Sequence, residues 1–184
     1  MKRLVLLAIL ILGLIGTQIQ ATDIIKPRVL VSTDIGGTDP DDNQSMAHLL
    51  MYTDCLDLEG IVSSPSYGSG NREEILRMID LYEKDLPKLS EHIKGLMSPA
   101  ELRAITKQGR KGAAPYRGFL TPTEGSRWIV QCARRQDERP LWISVWGGLD
   151  DVAPFTMRLT LLTKSVSTGL EVLTKSGVLT VMPI

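Results

Sequence analysis

The stretch that most constrains this chain is residues 28–51, RVLVSTDIGGTDPDDNQSMAHLLM. Its first six residues are apolar or β-branched and stop at Asp34 and the Gly36–Gly37 pair, which predicts a core strand running into a tight turn. Asp39, Pro40, Asp41 and Asp42 follow, then Met46, Leu49 and Leu50 at helical spacing. This predicts a helix with Asp39 as N-cap, Pro40 at N1 and two acids in the first turn, where the helix dipole favours negative charge. Asp34 then stands at the carboxyl end of a strand, the place where open α/β sheets bind ligands.

Capping needs one carboxylate or two, and it does not explain why Asp34 is aimed at the same turn. Four carboxylates this close repel one another unless a hard cation binds among them, and an oxygen-only donor set points to calcium or magnesium. The residues alone leave a metal site and a plain capped helix both open. An EF-hand starting at Asp39 is excluded, because Gln44 stands at the required glycine and Leu50 at the bidentate glutamate. A phosphatase of the haloacid dehalogenase type needs an aspartate two residues before Asp34, where Ser32 stands. A P-loop is excluded by the absence of its lysine and by the crowd of acid.

The pattern strand, turn, helix recurs along the chain. Residues 56–64 (LDLEGIVSS) read as a second strand, followed by a Pro-Ser-Tyr-Gly-Ser-Gly loop and an amphipathic helix that opens at Asn71 and runs through Ile75, Met78, Ile79 and Tyr82. Ser98-Pro-Ala-Glu-Leu is a capped helix start whose helix is expected to end near Gly109. Residues 108–119 are basic and glycine-rich, a solvated loop or a flap over a substrate. Residues 124–134 predict a helix with Trp128, Ile129 and Cys132 on one side. Residues 141–146 (LWISVW) predict a third strand covered on both faces, followed by Gly147-Gly148-Leu149-Asp150-Asp151.

Outside these elements the chain excludes more than it assigns. Lys plus Arg and Asp plus Glu are 21 each, so no global field attracts nucleic acid or an anionic membrane. Met1-Lys2-Arg3 and the apolar run 4–16 have the form of an export signal, with Ala21 offering a small residue for cleavage. That run is too short to span a bilayer, which takes about 20 apolar residues, and no cysteine follows it to carry a lipid, so no stable membrane anchor is expected. Cys55 and Cys132 are read as two buried thiols rather than a disulfide framework. His48 and His92 are read as helix-face residues, and Trp128 and Trp142 as core residues rather than a sugar-stacking platform. Nothing in the sequence decides for or against a homo-oligomer.

VLVSTDIGGTDPDDNQSM resembles the opening motif of the nucleoside hydrolase superfamily, in which a strand ends in Asp-Thr-Asp and a glycine turn leads to Asp-Asp at a helix start. More closely, residues 28–153 look like the bacterial exported nucleoside hydrolase-like domain that is also described as cellulose-binding. The resemblance implies an α/β, Rossmann-like, mostly parallel sheet with flanking helices. It implies calcium held by Asp34, Asp42 and the backbone carbonyl of Trp146, just before the Gly-Gly-Leu turn. Asp34 would be the catalytic base toward water, Asp41 would support through hydrogen bonds, and Asn71, in a Gly-Asn pair, would touch the sugar of a nucleoside or glycan. Asn71 as a mere N-cap is the alternative. One departure stands out: Ser32 replaces the first aspartate of Asp-Thr-Asp.

After Ala153 the composition shifts to Thr, Ser and Leu without a helix period. Residues 154–184 are read either as an unusual strand-rich end or as an out-of-frame tail, because a frame displaced by two nucleotides permits a continued helix, a strand and a Gly-Gly-Pro-Asn turn. The resemblance places a late aspartate and a late histidine beyond this point, so a truncated, weak or inactive form with an exposed sheet edge is expected. The organisation expected is a signal at 1–21, a partial nucleoside hydrolase-like domain at 28–153 and an aberrant tail. The rival function is an exported carbohydrate-binding protein without catalysis.

Overall fold

The computed structural model describes residues 25–37, 40–65, 70–113 and 121–152, and the backbone of 171–174 and 177–183. The signal read at 1–21 and the composition break at Ala153 lie outside these residues. The described strands form one sheet. Strand β1 (Arg28–Thr33) is followed by helix α1 (Asp41–Met51), strand β2 (Asp57–Ser63), helices α2 (Arg72–His92) and α3 (Pro99–Ile105), strand β3 (Thr106–Gln108), helix α4 (Glu124–Ala133) and strand β4 (Leu141–Trp146). Strands β5 (Glu171–Thr174) and β6 (Gly177–Pro183) complete the order β3-β2-β1-β4-β6-β5.

All neighbours are parallel except β5 and β6. After β1 the chain winds outward through β2 and β3, then returns to place β4 on the other side of β1. The winding therefore reverses between β1 and β4, and the crevice outside their carboxyl ends is the switch point at which such sheets bind ligands.

Side chains alternate across the strands, so one sheet feeds two cores. Leu30, Val62 and Ile143 pack with Ile129 and Cys132 of α4 on one face. Val31 and Ile61 pack with Met46 and Leu50 of α1, Ile75 and Ile79 of α2 and Leu102 of α3 on the other. The amino end of the sheet is closed by charge. Arg28, buried, donates through Nε to Glu59 (2.6 Å) and through its two terminal nitrogens to the carbonyls of Cys132 (2.8 Å) and Arg139 (3.0 Å). Arg135 also reaches Glu59 at 2.9 Å.

Several expectations are corrected. Helix α1 begins at Asp41 with Pro40, not Asp39, at the N-cap, and no side chain caps it; Asp39 itself lies outside the described residues. Helix α3 does not reach Gly109. It stops at Ile105 because residues 106–108 pair with Ile61, Val62 and Ser63 and satisfy their backbone on the edge of β2. Its start follows the sequence, with Ser98 and Glu101 forming a capping box. Strand β4 alternates buried and half-buried residues instead of being covered on both faces. Its outer edge is not exposed, because β6 pairs with it from Trp142 to Val145. Cys55 is exposed in the turn after α1, whereas Cys132 on the core side of α4 is buried; both are free thiols. Burial pushes the Cys132 thiol up to about 12. His48 and His92 lie exposed in the last turns of α1 and α2, as expected.

Candidate functional site

Asp34 is the first residue past β1, and its amide donates to the carbonyl of Trp146, the last residue of β4, at 3.1 Å. The turn after β4 is shaped around Asp34. Gly147 has φ +75, and a Cβ placed on it would overlap both carboxylate oxygens of Asp34. Only glycine meets the backbone angle and the space together. The next residue, Gly148, donates its amide to the Trp146 carbonyl at 2.9 Å, and its own carbonyl accepts the buried Ser32 hydroxyl at 2.7 Å. The serine that departs from Asp-Thr-Asp thus fastens the Gly147–Gly148 turn onto β1.

Asp42 enters from the first turn of α1. It is 7% exposed, accepts the hydroxyl of Thr33 and lies near enough to Asp34 for the two carboxyls to act on each other. Burial, followed by the neighbouring charges of Asp34 and Asp41, pushes its carboxyl up to about 6, against the pull of the Thr33 hydroxyl. Thr33 also accepts the Ile35 amide at 3.1 Å, so one hydroxyl sets both the acid and the turn beside it. Asp41, exposed, accepts the Asp42 amide at 2.8 Å.

Asn71 completes the rim. Its Cβ lies 3.0 Å from the point a Cβ on Gly36 would occupy, and Gly36 has φ +88. Asn71 stands at the N-cap of α2 yet its side chain makes no capping hydrogen bond. Asn43 of α1 donates to Glu74 of α2 at 2.6 Å and holds the two helix starts together; Arg77, then Asn43, keeps the Glu74 carboxyl below its usual range.

The structure therefore brings Asp34, Asp41, Asp42, Asn71 and the Trp146 carbonyl to one crevice. Among the described residues no group of three or more His, Cys, Asp or Glu side chains is spaced to hold a metal. What is present is a partial oxygen set: two neighbouring carboxylates plus a carbonyl. Two neighbouring acids, one of them buried, are a donor set that a hard cation relieves. The Trp146 carbonyl already accepts the amides of Asp34 and Gly148. Sequence reading missed Thr33 and Gly147. The first is the middle residue of the Asp-Thr-Asp pattern, the signal that could have found it. The second could be found only once β4 was known to lie beside β1.

Fold and crevice together define an α/β domain with its candidate site at the switch point of a mostly parallel sheet. Residues 28–173 match the family model described as cellulose-binding Sde182, nucleoside hydrolase-like domain, and the chain belongs to that family. It is similar to a solved nucleoside hydrolase-related protein from Saccharophagus degradans that is associated with carbohydrate metabolism. The two superpose with a TM-score of 0.68 at 30% identity, over 77% of this chain and 35% of that one. A search of curated proteins finds no match. No helix among the described residues is long and apolar enough to cross a membrane.

Proposed function

We propose that this domain is built on a calcium-dependent site for cleaving N-glycosidic bonds, with Asp34 as the base. The observation that carries the reading is the convergence at the switch point of the sheet of Asp34, its carboxylate held against Gly147, with the buried Asp42 beside it. Asp34, Asp42 and the Trp146 carbonyl are the groups that would hold the ion. When bound, calcium supplies charge that offsets the two carboxylates and coordination positions for the vicinal hydroxyls of a sugar.

The chain's own residues do the rest. Gly147, by lacking a side chain, leaves the Asp34 carboxylate room to take a proton from water as the water attacks the anomeric carbon. The Thr33 hydroxyl favours the ionised form of Asp42. Asn71, not consumed in capping its helix, has an amide to offer a sugar hydroxyl at the rim, and Asp41 steadies the first turn of α1.

The second reading is an exported domain that holds glycan without cleaving it. It is favoured by the cellulose-binding description of the family and by Ser32, which spends on the Gly148 turn a position where the superfamily places a carboxylate. Purified full chain is to be incubated with nucleosides and short glycans, with calcium or with chelator, alongside Asp34→Ala. Calcium-dependent release of base or sugar that disappears in the variant supports catalysis. Retention on cellulose that is unchanged in the variant, with no release, replaces it with binding.

A further inference from the structure

Another buried carboxylate stands in the turn that follows β4, and the reading above gives it no task. Asp151 is 0% exposed. One of its oxygens accepts the Arg110 amide at 2.8 Å and the other accepts the Thr123 hydroxyl, while its own backbone amide donates to the Ser64 hydroxyl oxygen at 3.0 Å. Thr123 is the N-cap of α4, Arg110 begins the basic segment after β3, and Ser64 follows β2. One residue thus joins three separate pieces of chain to the turn that follows β4, two through its carboxylate and Ser64 through its amide.

Glycines make this convergence feasible. A Cβ on Gly109 would overlap the Asp151 carboxylate and the Ser63 carbonyl, and one on Gly148 would overlap the Ser64 carbonyl. Ser64 also donates its amide to the Thr33 carbonyl at 2.7 Å, at the end of β1. The path from Asp151 to Asp34 is therefore short and made of backbone: Asp151 to Ser64, Ser64 against Gly148, and Gly148 through the Trp146 carbonyl to the Asp34 amide. A buried carboxylate with satisfied oxygens holds its donors in place, because a buried donor left unpaired is destabilising.

We propose that Asp151 is a positioning residue for the acid pair: its carboxylate ties the turn after β4 to Arg110 and Thr123, its amide ties that turn to Ser64, and together they hold Gly147 and Gly148 where they set the orientation of the Asp34 carboxylate. The calcium half of the test rests on the function proposed above; the exchange half does not.

The test compares wild-type full chain with Asp151→Ala, Asp151→Asn and Ser64→Ala, and with Ile79→Val, a cut in the opposite core that costs comparable stability without touching this turn. Amide hydrogen exchange is read at Asp34 and Gly148, and calcium affinity by titration calorimetry. Expected are faster exchange at both amides in Asp151→Ala and Ser64→Ala, partial recovery in Asp151→Asn, and wild-type protection in Ile79→Val. Calcium affinity is expected to fall about tenfold in Asp151→Ala and not in Ile79→Val. If Asp151→Ala does not fold, Ser64→Ala, which removes one hydroxyl, carries the comparison. Wild-type protection at Gly148 in the Asp151 and Ser64 variants overturns the proposal. Wild-type protein that binds no calcium overturns the function proposed above and leaves the exchange result to decide this one.

Discussion

The carboxylate of Asp34 occupies the space that a side chain on Gly147 would need. Two residues 113 positions apart are thereby made dependent on each other, one for its orientation and the other for its lack of a Cβ. Gly147→Ala should strain a positive φ and push the carboxylate aside, costing about 1–3 kcal/mol of stability and at least tenfold in calcium affinity. Urea denaturation and calorimetry on the same preparation check both; unchanged calcium binding in a destabilised protein would separate the turn from the site.

Asp42 gives a pH dependence of defined sign. Its folded pKa, about 6, lies above the unfolded value near 4. The folded state therefore holds this proton more tightly, and stability from this group is full below pH 4 and lost as pH rises through 6. Without calcium, the melting temperature of wild type should fall relative to Asp42→Asn across that window, by an amount equal to about 1 kcal/mol or more. Added calcium should flatten the difference. A difference that does not change between pH 4 and 7 would remove the coupling of the two acids.

Thr33→Val deletes the donor to Asp42 and the acceptor of the Ile35 amide while keeping the shape of the side chain. A cost of about 1–3 kcal/mol is expected from the two unpaired partners, together with a further upward shift of the Asp42 titration, since the hydroxyl is what pulls it down. The carboxyl carbon resonance of Asp42 followed by NMR titration reads the shift directly.

Asn71 separates cap from contact. An asparagine that caps a helix costs about 1 kcal/mol when replaced by alanine, but this one makes no capping bond. Asn71→Ala should leave the melting temperature nearly unchanged and weaken sugar binding. A loss of stability of the ordinary capping size, with binding intact, would return Asn71 to a structural role.

Glu59→Gln tests the other end of the sheet. Glu59 is buried between Arg28 and Arg135, and removing one charge from a buried ionic cluster leaves the others uncompensated, at about 3–5 kcal/mol. Denaturant midpoints should shift accordingly while calcium affinity stays near wild type, because the cluster lies at the opposite end of the strands.

Strands β1 and β4 are legible in the sequence to the residue, since each is an apolar run bounded by turn formers, and the acid crowd after β1 marks the crevice. What the sequence does not display is anything that depends on which strand lies beside which. The Asp34–Gly147 fit, the Ser32 bond to Gly148 and the role of Thr33 all require β4 to sit against β1, a pairing made across more than a hundred residues. Strand β3 is hidden for a related reason: Thr-Lys-Gln after a good helix has no strand pattern of its own and takes that form only because the edge of β2 is waiting. Helix α1 starts one residue later than an N-cap at Asp39 predicts, with Asp42 drawn inward by Thr33.

The clasp formed by Arg28 has a mechanical meaning for the crevice at the far rim. One guanidinium grips β2, the tail of α4 and the approach to β4, so these segments cannot slide past β1 at that end one by one. Any widening or narrowing of the gap between Asp34 and Gly147 must then occur as a fanning of the strands about a fixed pivot, and a guest entering between them would work against the stiffness of the sheet rather than against a loose loop.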